Sequence, residues 1–117
     1  SGAITDLYGF IATCNAGDTI IMPPASIGGH VTHHVSSCTG LCGLHVLEAP
    51  LKADRHSIDV AALESLARTE KSKLVTTGDS LNLFEHPILD TRQIAEAVGA
   101  YVMFDAAHEC GIIAGKE

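Results

Sequence analysis

Short apolar runs at 18–22 (DTIIM), 44–50 (LHVLEAP), 73–77 (KLVTT) and 101–105 (YVMFD) alternate with segments of helical periodicity, and this alternation is the strongest constraint on the fold. Runs of this length that are apolar on both faces suit strands covered from both sides, and intervening helices supply parallel crossovers. The sequence DVAALESLAR (59–68) forms one such helix, with Val60, Leu63, Leu66 and Ala67 on one face and Asp59 as its N-cap. DTRQIAEAVG (90–99) forms another, capped by Asp90 and stopped by Gly99. Ahead of the first strand, Ile4, Leu7, Tyr8 and Ile11 recur at helical spacing, Asp6 lies near the positive end and Asn15-Ala16-Gly17 is the stop. Between Gly28 and Cys42 the chain is rich in Gly, His, Ser and Thr, an irregular loop in which HVTHHVSS can form a short helix. The fold class is α/β, a mostly parallel sheet with helices on both faces in a single domain.

In sheets of this kind ligands bind beyond the carboxyl ends of the strands. Ser80 follows the third run, while Asp105 and His108 follow the fourth, so several polar groups point to one edge. Asp105 poses the sharpest question, because an acid ending an apolar strand is costly to bury without a positive partner. The rest of the chain narrows the partner. Acidic residues outnumber basic ones 14 to 7 for a net charge of −7, and the basic residues are scattered, which argues against nucleic acid or an anionic membrane. No apolar run approaches the ~20 residues that span a bilayer, and Ser1-Gly2-Ala3 does not open the basic-then-apolar pattern of a leader. The reading is a soluble, cytoplasmic protein. Cys14, Cys38, Cys42 and Cys110 read as reduced thiols in apolar or small-residue surroundings. The chain opens on Ser1-Gly2-Ala3 without an initiator Met and stops at Gly115-Lys116-Glu117, so 1–117 reads as an incomplete piece of a larger domain.

Two chemical features suggest a ligand. Gly2 and Ala3 offer unobstructed N–H groups at a helix N-terminus, where an anion such as phosphate is favoured, although an ordinary cap has the same appearance. Asp105 suits a protonated ring nitrogen: at ~4 Å and an effective dielectric near 20 the pair is worth roughly 4 kcal/mol before desolvation, about three pKa units. That is enough to keep a pyridinium protonated, the state in which pyridoxal phosphate withdraws electrons from a carbanion. The alternative for Asp105, which does not exclude the first, is an N-cap for the segment that follows.

GDTIIMPPASIGGHVTHH, KLVTTGDSLNLFEHP and AEAVGAYVMFDAAHECGIIAG resemble, in order and over nearly the whole chain, the central part of the large domain of the serine hydroxymethyltransferase family. That family belongs to the fold-type I, aspartate-aminotransferase-like pyridoxal-phosphate enzymes. The resemblance implies a transferase or aldolase acting on β-hydroxy-amino acids by Cα–Cβ cleavage, with pyridoxal 5'-phosphate as cofactor and tetrahydrofolate as a co-substrate option. It implies an amino-acid substrate and a homodimer or homotetramer. Residue by residue, Gly2 and Ala3 match the phosphate turn, and His33 the imidazole that stacks on the cofactor ring. Ser80 matches the hydroxyl at the phenolic oxygen, Asp105 the carboxylate on the pyridine nitrogen and His108 the imidazole beside the phenolic oxygen. The catalytic set implied is His33, Asp105 and His108.

Three departures point to a divergent branch, such as an α-methylserine hydroxymethyltransferase or a threonine transaldolase: Ala3 where Ser or Thr is common, Asp79 where a small or apolar residue is usual, and SSCTGLCGLHV without a familiar counterpart. The lysine that anchors the cofactor is implied one strand further on, and Lys52, Lys71, Lys73 and Lys116 do not stand in its context. His30 and His34 read as loop-fixing or catalytic, Thr32 as a helix-cap hydroxyl ahead of an aid to proton relay, and His45, His56 and His86 as structural or surface residues. Two other readings compete. One is a metal module built from His30, His33, His34, Cys38 and Cys42, against which the absence of a Cys-x-x-Cys pair counts. The other is an inactive scaffold whose unfinished sheet leaves an open edge.

Overall fold

The computed structural model describes residues 1–33, 37–78, 80, 81 and 83–116, with Val31 described by its backbone alone. The positions of His34 and Asp79 therefore lie outside the described residues.

Helix α1 (Gly2–Thr13) leads into β1 (Thr19–Met22), and two short 3-10 turns (Ala25–Ile27 and Val31–His33) precede the one-turn helix α2 (Cys38–Leu41). Strand β2 (His45–Glu48), helix α3 (Val60–Thr69), strand β3 (Leu74–Thr77), helix α4 (Ile88–Val98), strand β4 (Tyr101–Phe104) and helix α5 (Cys110–Gly115) follow. The four strands form one sheet in the order β2-β1-β3-β4. Every pairing is parallel: Ile20 lies opposite Val46 and Leu74, and Val75 opposite Val102.

The side-chain alternation of the two central strands separates two cores. Ile20 and Leu74 point to the α1 side, where they pack with Phe10, Cys38 and Leu44. Ile21 and Val75 point the other way, against Leu63 and Ala67 of α3 and Ile94 of α4. Helices on both faces are thus what the sequence predicts for strands apolar on both sides. Each fully buried Ile, Leu or Phe in these layers contributes roughly 1.5–3 kcal/mol. The flanking strands differ, since β2 and β4 are half-exposed edges.

Three local expectations change. Of the apolar residues Ile4, Leu7, Tyr8 and Ile11 that recur at helical spacing in α1, Ile4, Tyr8 and Ile11 are 51%, 67% and 62% exposed, and the buried residues are Asp6 and Phe10. Helical spacing offers two apolar stripes, and the sheet selects the one through Ala3, Leu7, Phe10 and Cys14. That choice brings Gly9 against β4, where a Cβ would meet Met103 Sδ at 2.6 Å. Helix α4 begins at Ile88 behind Pro87, so Asp90 sits in the first turn and not at the cap. Proline's fixed φ pre-sets that entry, and Asp90 instead complements the positive end of the helix. Thr32 caps no helix, as described below. Asp59 does cap α3, its Oδ1 accepting from the Ala62 N–H at 3.0 Å. Among the described residues no helix is long and apolar enough to cross a membrane.

Candidate functional site

The carboxyl ends of β1, β3 and β4 converge because the connecting loops cross tightly. The loop after β1 turns on Gly28 at φ +106°, where a Cβ would stand 3.1 Å from the Leu81 carbonyl carbon. Gly28 O accepts from the Ser80 N–H at 3.4 Å. Gly78, at φ +89°, lets the end of β3 run against the backbone of Asp105. Only glycine combines that backbone angle with so close an approach.

This packing assembles a polar cluster. Asp6, carried by α1 and 6% exposed, accepts from Thr32 Oγ1 at 2.7 Å. Thr32 Oγ1 is in turn 2.6 Å from His30 Nδ1. One ligating atom from each of Asp6, His30 and Asp105 lies within 4.8 Å of the other two. At that spacing two carboxylates repel by roughly 3–4 kcal/mol in an effective dielectric of 20. A cation close to both reverses the sign. The second acid was not legible in the sequence, where Asp6 reads only as a helix-start residue.

His33 is placed deeper. Its ring is fully buried, with Nε2 3.6 Å from Asp6 Oδ2 and Nδ1 3.5 Å from Thr76 Oγ1. It meets the Phe10 ring edge-on, centroids 5.7 Å apart. Of the two histidines in GGHVTH it is His30 that shares the cluster with Asp105. Asp105 is half-buried and its Oδ1 accepts from the Ala107 N–H at 3.0 Å, so it also organises the turn into α5. The helix-cap alternative raised from the sequence is not met, since α5 starts at Cys110 behind Glu109 and Asp105 holds only the local turn.

Ser80 and His108 both line a cavity of about 950 Å³, together with His86, Glu109 and Ile112. His86, which reads from sequence as structural or surface, has Nδ1 3.1 Å from Thr77 Oγ1 and accepts from the Gly78 N–H at 3.4 Å. The signal that could have found it is its place in the segment returning from the end of β3. Gly2 and Ala3 form the first turn of α1, one turn from Asp6. Ser1 makes no side-chain cap bond there, and the space around the Gly2 Cα is open. The first-turn N–H groups of a helix have no partners within it.

The metal reading built on the His/Cys loop fares poorly. Cys38 Sγ is directed to the Ala3 carbonyl oxygen at 3.4 Å, in the α1-side core. Burial pushes the Cys42 thiol upward, with Cys38 adding to the effect. Burial likewise raises Cys14.

A family model described as serine hydroxymethyltransferase matches residues 1–117. The chain belongs to the serine hydroxymethyltransferase family. Within it, the chain is similar to an alpha-methylserine aldolase of Variovorax paradoxus, 58% identical over 116 residues, 99% of this chain and 26% of that protein. An alpha-methylserine aldolase of Ralstonia sp is 47% identical over 98% of the chain and 26% of that protein. A serine hydroxymethyltransferase of Archaeoglobus fulgidus is 43% identical over 99% of the chain and 26% of that protein. The chain spans about a quarter of the length of these relatives.

The site fits the cofactor that the family membership implies. Asp105, with one carboxylate oxygen bonded to the Ala107 N–H and the other beyond that bond, suits a heterocyclic cation, and the first-turn N–H groups of Gly2 and Ala3 suit a phosphate.

Proposed function

We propose that the full-length protein carrying this chain is a pyridoxal-phosphate-dependent aldolase that breaks the Cα–Cβ bond of α-methylserine, giving formaldehyde and alanine. The observation that carries this reading is the meeting of Asp105 with Asp6 and His30 at the carboxyl edge of the sheet. The substrate rests on the greater identity to the alpha-methylserine aldolases, 58% against 43% for the archaeal serine hydroxymethyltransferase.

Pyridoxal phosphate, when bound, supplies an electron sink for the carbanion left at Cα. In our reading Asp105 holds the proton on the ring nitrogen. The N–H groups of Gly2 and Ala3 bind the phosphate, supported by the positive end of α1. Ser80 and His108, at the shared cavity, take the edge of the ring that bears the phenolic oxygen. The ring-facing imidazole expected at His33 is assigned to His30, because His33 is fully buried against Phe10 and Asp6. The anchoring lysine is assigned to the rest of the protein. Lys73 does not meet that need, since it lies over the Tyr101 ring at the opposite end of the strands. The remainder of the full-length enzyme, in a cytoplasmic homodimer or homotetramer, would complete the sheet at β4 and cover the apolar stripe of α1.

A second reading within the family is hydroxymethyl transfer between serine and glycine with tetrahydrofolate, favoured by the similarity to the archaeal serine hydroxymethyltransferase. Purified full-length protein loaded with pyridoxal phosphate separates the two. Formaldehyde released from α-methylserine without folate supports the aldolase, whereas serine turnover that needs tetrahydrofolate, with α-methylserine inert, selects the second reading. Turnover of neither overturns both.

A further inference from the structure

We propose that Asp6 is a positioning residue for His30, acting through the Thr32 hydroxyl to fix which ring nitrogen carries the proton. Asp6 Oδ2 accepts from Thr32 Oγ1 at 2.7 Å, and Thr32 Oγ1 lies 2.6 Å from His30 Nδ1. A hydroxyl has one proton to donate. Because that proton goes to the carboxylate, the contact with His30 is made by the imidazole N–H, and Nδ1 is the protonated nitrogen. Nε2 then keeps its lone pair for the site.

A competing arrangement is built into the same loop. The Thr32 backbone N–H points at His30 Nδ1 from 3.2 Å, a bond that forms only when Nδ1 has lost its proton. With Nδ1 unprotonated, the 2.6 Å contact between Thr32 Oγ1 and the ring holds a proton only if the hydroxyl turns away from Asp6. Asp6 decides between the two tautomers, since a buried carboxyl group that loses the Thr32 hydroxyl costs more than the longer backbone contact gains. Asp6 is held for this task, 94% of its surface being covered and His33 Nε2 standing 3.6 Å away on its other side. His30 is thereby presented to Asp105 in one tautomer and one plane.

The inference deepens the proposed function, because it places the oriented ring beside the cofactor, yet it can be read without the cofactor. The test is the nitrogen-15 chemical-shift pattern of the His30 ring in full-length apo protein, the signal being assigned by its loss in His30→Gln. Wild type and Thr32→Ser should show the Nδ1–H form. Thr32→Val should shift the tautomer ratio towards Nε2–H by about tenfold, the worth of one such hydrogen bond. Asp6→Asn, which keeps the shape and removes the charge, should shift it in the same direction. In the loaded enzyme Thr32→Val should lower kcat by about tenfold with KM little changed, and Thr32→Ser should restore it. An Nε2–H ring in wild type, or a ratio unmoved by both Thr32→Val and Asp6→Asn, overturns the proposal. Should the protein bind no pyridoxal phosphate while the tautomer pattern holds, the functional reading fails and this one stands.

Discussion

Gly78→Ala tests the logic by which the sheet builds its site. A Cβ at residue 78 would stand 2.8 Å from the Asp105 carbonyl carbon and 3.0 Å from its nitrogen, where ordinary contact begins at 3.4 Å. The obstacle is backbone and cannot swing aside, so the end of β3 or of β4 must retreat by more than half an ångström. Gly99→Ala is the control, since Gly99 has φ +74° but nothing within 4 Å of an added Cβ. The left-handed backbone alone costs about 1–2 kcal/mol, and that is the whole expected effect at Gly99. Overpacking adds about 1–3 kcal/mol, which brings Gly78→Ala to about 2–5 kcal/mol. The functional loss should diverge further. A catalytic group displaced by ~1 Å loses about a hundredfold in rate, so kcat/KM of full-length Gly78→Ala should fall by that order while Gly99→Ala stays near wild type. Urea midpoints and pyridoxal-phosphate titrations of the two variants measure both effects. Equal losses of stability and of cofactor affinity in the two would refute the claim that close approach at Gly78 sets the position of Asp105.

Asp105→Asn should keep the fold, because the amide oxygen still accepts from the Ala107 N–H, but it withdraws a charge worth roughly 4 kcal/mol at ~4 Å, so kcat/KM should fall by about two to three orders of magnitude. Retention of near-wild-type rate with bound cofactor would remove Asp105 from its assigned role. Asp54 accepts from the His56 and Ser57 N–H groups and the Ser57 hydroxyl, which lower its pKa from 3.8 to about 2. A depressed folded-state pKa gives stability that is present above the unfolded value and lost as pH falls through the folded one. Wild type should therefore lose this contribution between about pH 4 and 2. Asp54→Asn should flatten that part of the curve of urea midpoint against pH, and an unchanged curve would show that the turn contributes nothing.

The alternation of apolar runs with helical periodicity sufficed for the α/β class, the parallel direction of the strands and the cap at Asp59. Each of these depends on neighbours in sequence or on a period that burial imposes directly. The ends of the strands were likewise enough to direct Ser80, Asp105 and His108 to one edge, because a parallel sheet puts all its carboxyl ends on the same side. Tertiary structure alone decided which of two apolar stripes α1 turns inward, a choice that brings Gly9 against Met103. The same choice determined that Asp6, twenty-six residues before Thr32, would close a hydrogen bond with it. It also separated two histidines three positions apart, burying His33 and presenting His30 to Asp105. Local pattern fixes which residues are apolar, polar or turn-forming. The partner of a buried charge depends on how two distant segments pack, and no periodicity in the chain encodes that distance.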